Sequence, residues 1–193
     1  YGRGEDKDSI YLDHCRSLAA VDDGVGQLLA ALEKSGKLDN TLFIFSSDNG
    51  FTFGEHGEYN NKRVAYDPSL RVPLLMRYPR RIPAGSVRGQ LALNVDLAPT
   101  LYELAGVEAP VPVHGKSLLE VMADGDAPFR ERFLAEYFLE KVTPRHATWH
   151  ALRTAEWKYI HYPGLDGMDE LYHLEKDPGE HNNLVEDPDH GKQ

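Results

Sequence analysis

Cysteine is nearly absent from these 193 residues, with Cys15 the one thiol, so no disulfide can close within the chain and a small cystine-stapled scaffold is excluded. No apolar stretch approaches the roughly 20 residues that a bilayer-spanning helix needs. Basic clusters are missing as well: 21 Lys and Arg stand against 31 Asp and Glu, for a formal charge of −10. Proteins that track a phosphate backbone need the opposite balance, so nucleic acid is not an expected partner. Neither an internal repeat nor a low-complexity tract is visible. The opening Tyr1-Gly-Arg-Gly-Glu-Asp-Lys7 lacks the apolar core of a signal peptide, and no Met precedes it. The expectation is a piece of a longer protein. What the chain does have is 41% apolar residues, enough for one core, or for a core with a small satellite domain.

Between Ser9 and Ser35 the apolar positions Ile10, Leu18, Val21, Val25, Leu28, Leu29 and Leu32 recur at steps of three and four, which predicts an amphipathic helix stopped by Gly36. Thr41 to Ser47 is a short aromatic and β-branched run, apolar on both faces, as expected of a buried parallel strand. Val72 to Tyr78, bounded by Pro79, reads as another strand. Helix alternating with strand is the α/β signature. A further helix is expected from about Val95 to Ala105, capped by Asn94 or Asp96 and ended by Gly106, with a short helical segment from Ser117 to Met122. Beyond Asp124 the texture changes. Arg132 to Phe138, Thr148 to Arg153 and Trp157 to Tyr162 are aromatic-rich runs separated by turn residues, the pattern of an antiparallel meander. Gly125-Asp-Ala-Pro128 is thus a candidate junction between residues 1–124 and 125–193.

The stretch that carries chemistry follows the first strand. Asp48-Asn49-Gly50 sits where open α/β sheets bind ligands, at the carboxyl end of a strand. Its carboxylate and amide are hard oxygen donors, suited to calcium or magnesium; the plainer reading of the tripeptide alone is an Asx turn. Downstream, Gly54-Glu55-His56-Gly57 and Lys62 lie in a polar loop that must double back before Val72. A lysine beside a divalent cation would neutralise an oxyanion. Taken singly, a solvated lysine and a loop-anchoring histidine remain the simpler accounts of Lys62 and His56.

Taken together, Ser47-Asp48-Asn49-Gly50, the Gly54–Gly57 step, Lys62 and Tyr66-x-x-Ser69-x-Arg71-Val72-Pro73-Leu74 resemble the type I sulfatases. The likeness continues through Asp96-Leu-Ala-Pro99-Thr100-Leu101, Leu104-Ala-Gly106, Gly115-Lys-Ser-Leu118, Arg153-Thr-x-x-x-Lys158-Tyr159 and Glu170-Leu-Tyr172, ending in Asp177-Pro-Gly-Glu180 and Asn183-Leu184. It implies the C-terminal part of an alkaline-phosphatase-like α/β domain, with a mostly parallel sheet and helices, followed by a small antiparallel subdomain. It further implies hydrolysis of sulfate esters, with Asp48 and Asn49 as calcium ligands, Lys62 on the sulfate oxygens, and His56 as a lesser catalytic candidate. The expected substrate is a small-molecule or carbohydrate sulfate ester. The expected partner is an N-terminal half of the same protein, and an extracytoplasmic location is favoured.

One departure from the family pattern is decisive. The family nucleophile is a formylglycine made within Cys/Ser-x-Pro-x-Arg, and no such motif occurs here; Cys15 is followed by Arg-Ser-Leu and reads as a buried helix residue. Asp22 and Asp23 read as helix-surface residues rather than as the family's early metal-binding aspartates. The chain alone is therefore expected to be inactive. Competing readings are a phosphodiesterase or phosphonate monoester hydrolase of the same superfamily, and a non-catalytic interaction module. His146, Trp149, His150, Trp157 and His161 read first as strand residues and only second as lining of a sugar cleft.

Overall fold

A computed structural model describes residues 7–142 and 144–190. Helix α1 spans Lys7–Lys34 and closes as anticipated. The Lys37 and Gly36 amides bond back to the Leu32 and Glu33 carbonyls, both at 2.9 Å, and Gly36 takes the left-handed φ of 68° that this closure requires. Yet the apolar stripe of α1 stays largely in the open: Leu18, Val21 and Leu28 are all exposed. Cys15 is also exposed, which corrects the expectation of a buried thiol. Asp22 and Asp23 lie exposed on the same helix. At its N-terminal end α1 touches the rest of the chain through Tyr11 and His14, whose rings meet Phe53 at 5.3 and 5.1 Å.

Strand β1 (Phe43–Ser46) is followed by a hairpin of β2 (Thr52–Phe53) and β3 (Tyr59–Asn61), then the one-turn helix α2 (Asp67–Leu70) and β4 (Leu74–Arg77). β1 pairs with β4 antiparallel, Phe43 opposite Arg77 and Ser46 opposite Leu74. The parallel pairing expected for this run is therefore corrected, and so is its full burial, since all four residues of β1 are half-exposed. The reason is the connection: a parallel neighbour requires a crossover, and residues 47–73 return through a hairpin and one helical turn instead. Between α1 and this strand pair lies an apolar cleft of about 420 Å³, lined by Leu18, Val21, Val25, Phe43, Phe45 and Leu75.

Helix α3 (Leu97–Ala105) is entered through a 3₁₀ turn at Asn94–Asp96. Asp96 occupies the cap position, but its fully buried carboxylate serves as a wider hub. It takes both Arg130 Nη atoms at 2.7 Å, the Leu93 amide and the Lys116 amide, each at 2.8 Å. Burial opposes ionisation here, but Arg130 and the two amides outweigh it and hold Asp96 below the usual carboxylate range. Helix α4 covers Leu119–Ala123.

The C-terminal strands β5 (Arg132–Tyr137), β6 (Trp149–Thr154), β7 (Trp157–His161) and β8 (Glu170–His173) form one antiparallel meander in sequential order. Its fourth strand was not foreseen, because Glu170–His173 is too short to show a period. One face carries the main core. Trp149, Ala151, Ile160, Tyr172 and Leu174 bury themselves against Ala65, with Tyr66 and Leu70 packed alongside. The sheet thus reaches back to the segment that precedes α2, and Trp149 Nε1 donates to the Arg63 carbonyl at 2.9 Å. Every strand pair among the described residues is antiparallel.

Candidate functional site

The chain leaves β1 through Ser47-Asp48-Asn49-Gly50, and a dense set of local bonds shapes this turn. Ser47 Oγ donates to the Asn49 carbonyl at 2.8 Å, and the Asn49 amide donates to Asp48 Oδ1 at 3.0 Å. The Asx turn that the tripeptide alone suggests would need the Gly50 amide on Asp48, and that amide is instead turned to the Ser69 carbonyl. Gly50 is there for space: a Cβ would stand 2.1 Å from the Pro68 carbonyl oxygen. With that space kept, the Gly50 and Phe51 amides donate to the Ser69 and Pro68 carbonyls at 2.8 and 2.7 Å. The turn is thereby fastened to α2. Asn94 Nδ2 reaches the Ser47 and Asp48 carbonyls from the opposite side, at 3.5 and 3.4 Å.

Lys62 arrives through the hairpin. Thr52 and Asn61 close it with a reciprocal pair of 3.1 Å bonds. The buried Asn61 amide then turns the chain, its Oδ1 accepting the Lys62 and Arg63 amides at 2.7 and 3.0 Å. The outcome is that Lys62 Nζ lies 3.0 Å from Asn49 Oδ1, across 13 residues of sequence. Asn49 and Lys62 are thereby brought together, with Asp48 next to Asn49 in the turn. An ammonium carries three protons and one is used on Asn49, leaving donors for an anion.

His56 goes elsewhere. At the hairpin tip it adopts a left-handed φ of 55° between Gly54 and Gly57, a conformation few non-glycine residues take. Its ring stacks on Tyr66 at 3.6 Å and lies 5.8 Å from that of His181. Among the described residues no hydrogen bond or ring contact joins His56 to Asp48, Asn49 or Lys62. Behind Tyr66, Glu170 gathers three phenols, from Tyr66, Tyr162 and Tyr172, at 3.1, 2.9 and 2.5 Å. Burial first, and then the Glu170 charge, push the Tyr66 hydroxyl far above the ordinary phenol range.

For a cation the turn offers the Asp48 carboxylate and Asn49 Oδ1. Those donors match the hard-oxygen preference of calcium but supply two of the six to eight ligands it takes. Among the described residues no group of three or more His, Cys, Asp or Glu assembles. Of the C-terminal residues considered for a sugar cleft, Trp149 and His150 lie on β6, and Trp157 and His161 on β7. His146 sits in the bend before β6, with Nδ1 3.4 Å from Asn61 Nδ2, and so stands nearest the Lys62 turn. Asn61 itself was missed: a lone asparagine in a polar loop gives no sign that its amide will be buried.

Residues 54–192 match the family profile of the N-sulphoglucosamine sulphohydrolase C-terminal region. N-acetylglucosamine-6-O-sulfatase of Bacteroides thetaiotaomicron is 39% identical over 184 residues, covering 93% of this chain and 33% of that protein. Human arylsulfatase K is 32% identical over 179 residues, covering 86% of this chain and 32% of its own length. The solved structure of BT4656 with its substrate D-glucosamine-2-N,6-O-disulfate superposes with a TM-score of 0.84 at 37% identity, over 91% of this chain and 36% of that one. The phosphonate monoester hydrolase of Agrobacterium radiobacter superposes at 0.76 with 29% identity, over 90% and 36%. The chain spans about a third of the length of these relatives. No helix among the described residues is long and apolar enough to cross a membrane. The chain belongs to the N-sulphoglucosamine sulphohydrolase C-terminal family, among the sulfatases of the alkaline-phosphatase-like superfamily.

Proposed function

We propose that this chain is the C-terminal portion of a calcium-dependent sulfatase acting on a carbohydrate sulfate ester. One observation carries the reading: Lys62 Nζ and Asn49 Oδ1 lie 3.0 Å apart beside Asp48, so an oxyanion-binding ammonium and cation-binding oxygens occupy one point. In this reading Asp48 and Asn49 hold the metal, which would polarise the sulfate and offset its charge. Lys62 donates to a sulfate oxygen and stabilises the charge that builds there as the S–O bond breaks. His56, held 3.6 Å from the Tyr66 ring, acts at most through the shape of the hairpin that delivers Lys62. The nucleophile, a formylglycine by family analogy, is supplied from outside this sequence, because no Cys/Ser-x-Pro-x-Arg motif is present in it.

The carbohydrate assignment is supported by BT4656 and its bound D-glucosamine-2-N,6-O-disulfate. The likeness to a phosphonate monoester hydrolase keeps a second reading in view, a phosphorus-ester hydrolase on the same frame. Residues 1–124 are proposed as part of the catalytic α/β domain and residues 125–193 as a small C-terminal subdomain, docked through Arg130 on Asp96. The deciving experiment compares turnover of matched sulfate and phosphate esters by the intact protein that carries this chain. A sulfate preference lost in Lys62→Ala supports the reading; a preference for the phosphorus ester overturns it in favour of the second.

A further inference from the structure

Four charged side chains outside the turn meet in the seam between α2 and the C-terminal sheet. Lys158, fully buried on β7, places Nζ 2.5 Å from Asp67 Oδ1, 2.5 Å from Glu180 Oε1 and 3.1 Å from the Ala65 carbonyl. Arg153 on β6 donates to the same aspartate, Nη2 to Oδ2 at 2.9 Å and Nε to Oδ1 at 3.3 Å. Glu180 uses its second oxygen to accept the Asp67 amide at 2.7 Å. It does so from a left-handed backbone with φ of 56°. Arg71 approaches Asp67 Oδ2 at 4.0 Å from the exposed side. Burial opposes the Asp67 charge, but Lys158 and Arg153 outweigh it and keep the carboxyl below its usual range.

Such a cluster is a costly way to stabilise a core, because apolar residues of similar volume would serve as well or better. What it supplies is fixed geometry, and the geometry leads to the site. Asp67 begins α2, and the next two carbonyls, of Pro68 and Ser69, are those that accept the Phe51 and Gly50 amides. Gly50 has no room to yield against them. Asp48 and Asn49 are the two residues immediately before it.

We infer that Asp67, Lys158, Glu180 and Arg153 form a positioning clamp that sets the Asp48–Asn49 turn through the Pro68 and Ser69 carbonyls, making the C-terminal sheet a support for the cation ligands. This rests on the proposed role of Asp48 and Asn49 as calcium ligands. The four are positioning residues: they hold ligands in place as outer-shell partners do, and such partners typically control metal affinity by about 10–100-fold.

The test uses the intact protein that carries this chain, with Asp67→Asn, Lys158→Met and the double variant, which removes one charge of each sign. Two quantities are read in each: the dissociation constant for calcium alone, and amide hydrogen exchange at Gly50 and Phe51. The clamp predicts calcium binding weakened by about 10–100-fold, with faster exchange at both amides, in any of the three that folds. Ile160→Val, in the same core but outside the clamp, should lose stability and leave both readouts unchanged. Should the three fail to fold, Glu180→Gln is read on the same axes. If Asp48→Ala abolishes calcium binding while the clamp variants bind calcium and exchange like the parent, the clamp is overturned and the site reading stands. If the parent itself binds no calcium, both fall together.

Discussion

The two ends of this chain solve the burial problem in opposite ways. The C-terminal sheet has a closed core, completed by the segment before α2: Ile160, Ala151 and Trp149 are at most 5% exposed and pack on Ala65. Helix α1 and the β1–β4 pair leave Leu18, Leu28 and Leu75 about 60% exposed, and Leu18 and Leu75 line an open apolar cleft. The candidate site lies between them, with its ligand turn at the end of β1 and its support in the seam with the sheet. Within this chain, then, the well-buried region is the one proposed to position the site. The region that bears Asp48 and Asn49 is the one whose apolar surface lacks cover among the described residues.

Paired substitutions should expose that asymmetry. In the chain by itself, Ile160→Ala should cost about 2–5 kcal/mol, as truncations at filled core positions do. Leu28→Ala should stay within about 0.5 kcal/mol, as exposed changes do. Denaturant titration measures both. Repeating Leu28→Ala in the intact protein sharpens the comparison, for a cost above about 2 kcal/mol there would mean that α1 is covered.

A smaller effect is expected in acid. Asp67 and Asp96 are both held below the ordinary carboxylate range, in each case against burial and by buried arginine or lysine partners. A depressed folded pKa contributes stability that is complete above the unfolded value of about 4 and is lost as pH falls below it. Urea midpoints should therefore drop from about pH 4 downwards, and Asp96→Asn should flatten that slope. An unchanged slope would mean that the Asp96–Arg130 seam adds no pH-linked stability.

Much of this organisation was legible in sequence because it rests on local rules. The three- and four-residue spacing located α1, Gly36 and Gly106 marked helix ends, and aromatic runs between turn residues located β5, β6 and β7. Strand direction was not legible, since Phe43–Ser46 has the same apolar composition whether its neighbour runs parallel or antiparallel. Nor was exposure: Leu28 belongs to a good amphipathic pattern and Cys15 reads as a buried thiol on the same helix, but neither signal says whether a partner is there. Of the site, Asp48, Asn49 and Lys62 could be named from their motif. Their convergence depends on Asn61, and their support on residues 86 to 113 positions away from Asp67, separations that no local signal spans. The motif positions Arg153, Lys158 and Glu180 acquire a physical role only when the fold sets them around Asp67.

The central claim is that Asp48, Asn49 and Lys62 form one site with divided labour, cation on the turn and oxyanion on the lysine. It is tested most directly by measuring calcium affinity and sulfate-ester turnover side by side in the intact protein and in its Asp48→Ala and Lys62→Ala variants. The account predicts that Asp48→Ala loses both, while Lys62→Ala keeps calcium binding and loses turnover by about 10²-fold or more, the scale for removing a donor to a developing oxyanion. Turnover unchanged in Lys62→Ala, or calcium binding unchanged in Asp48→Ala, would contradict it.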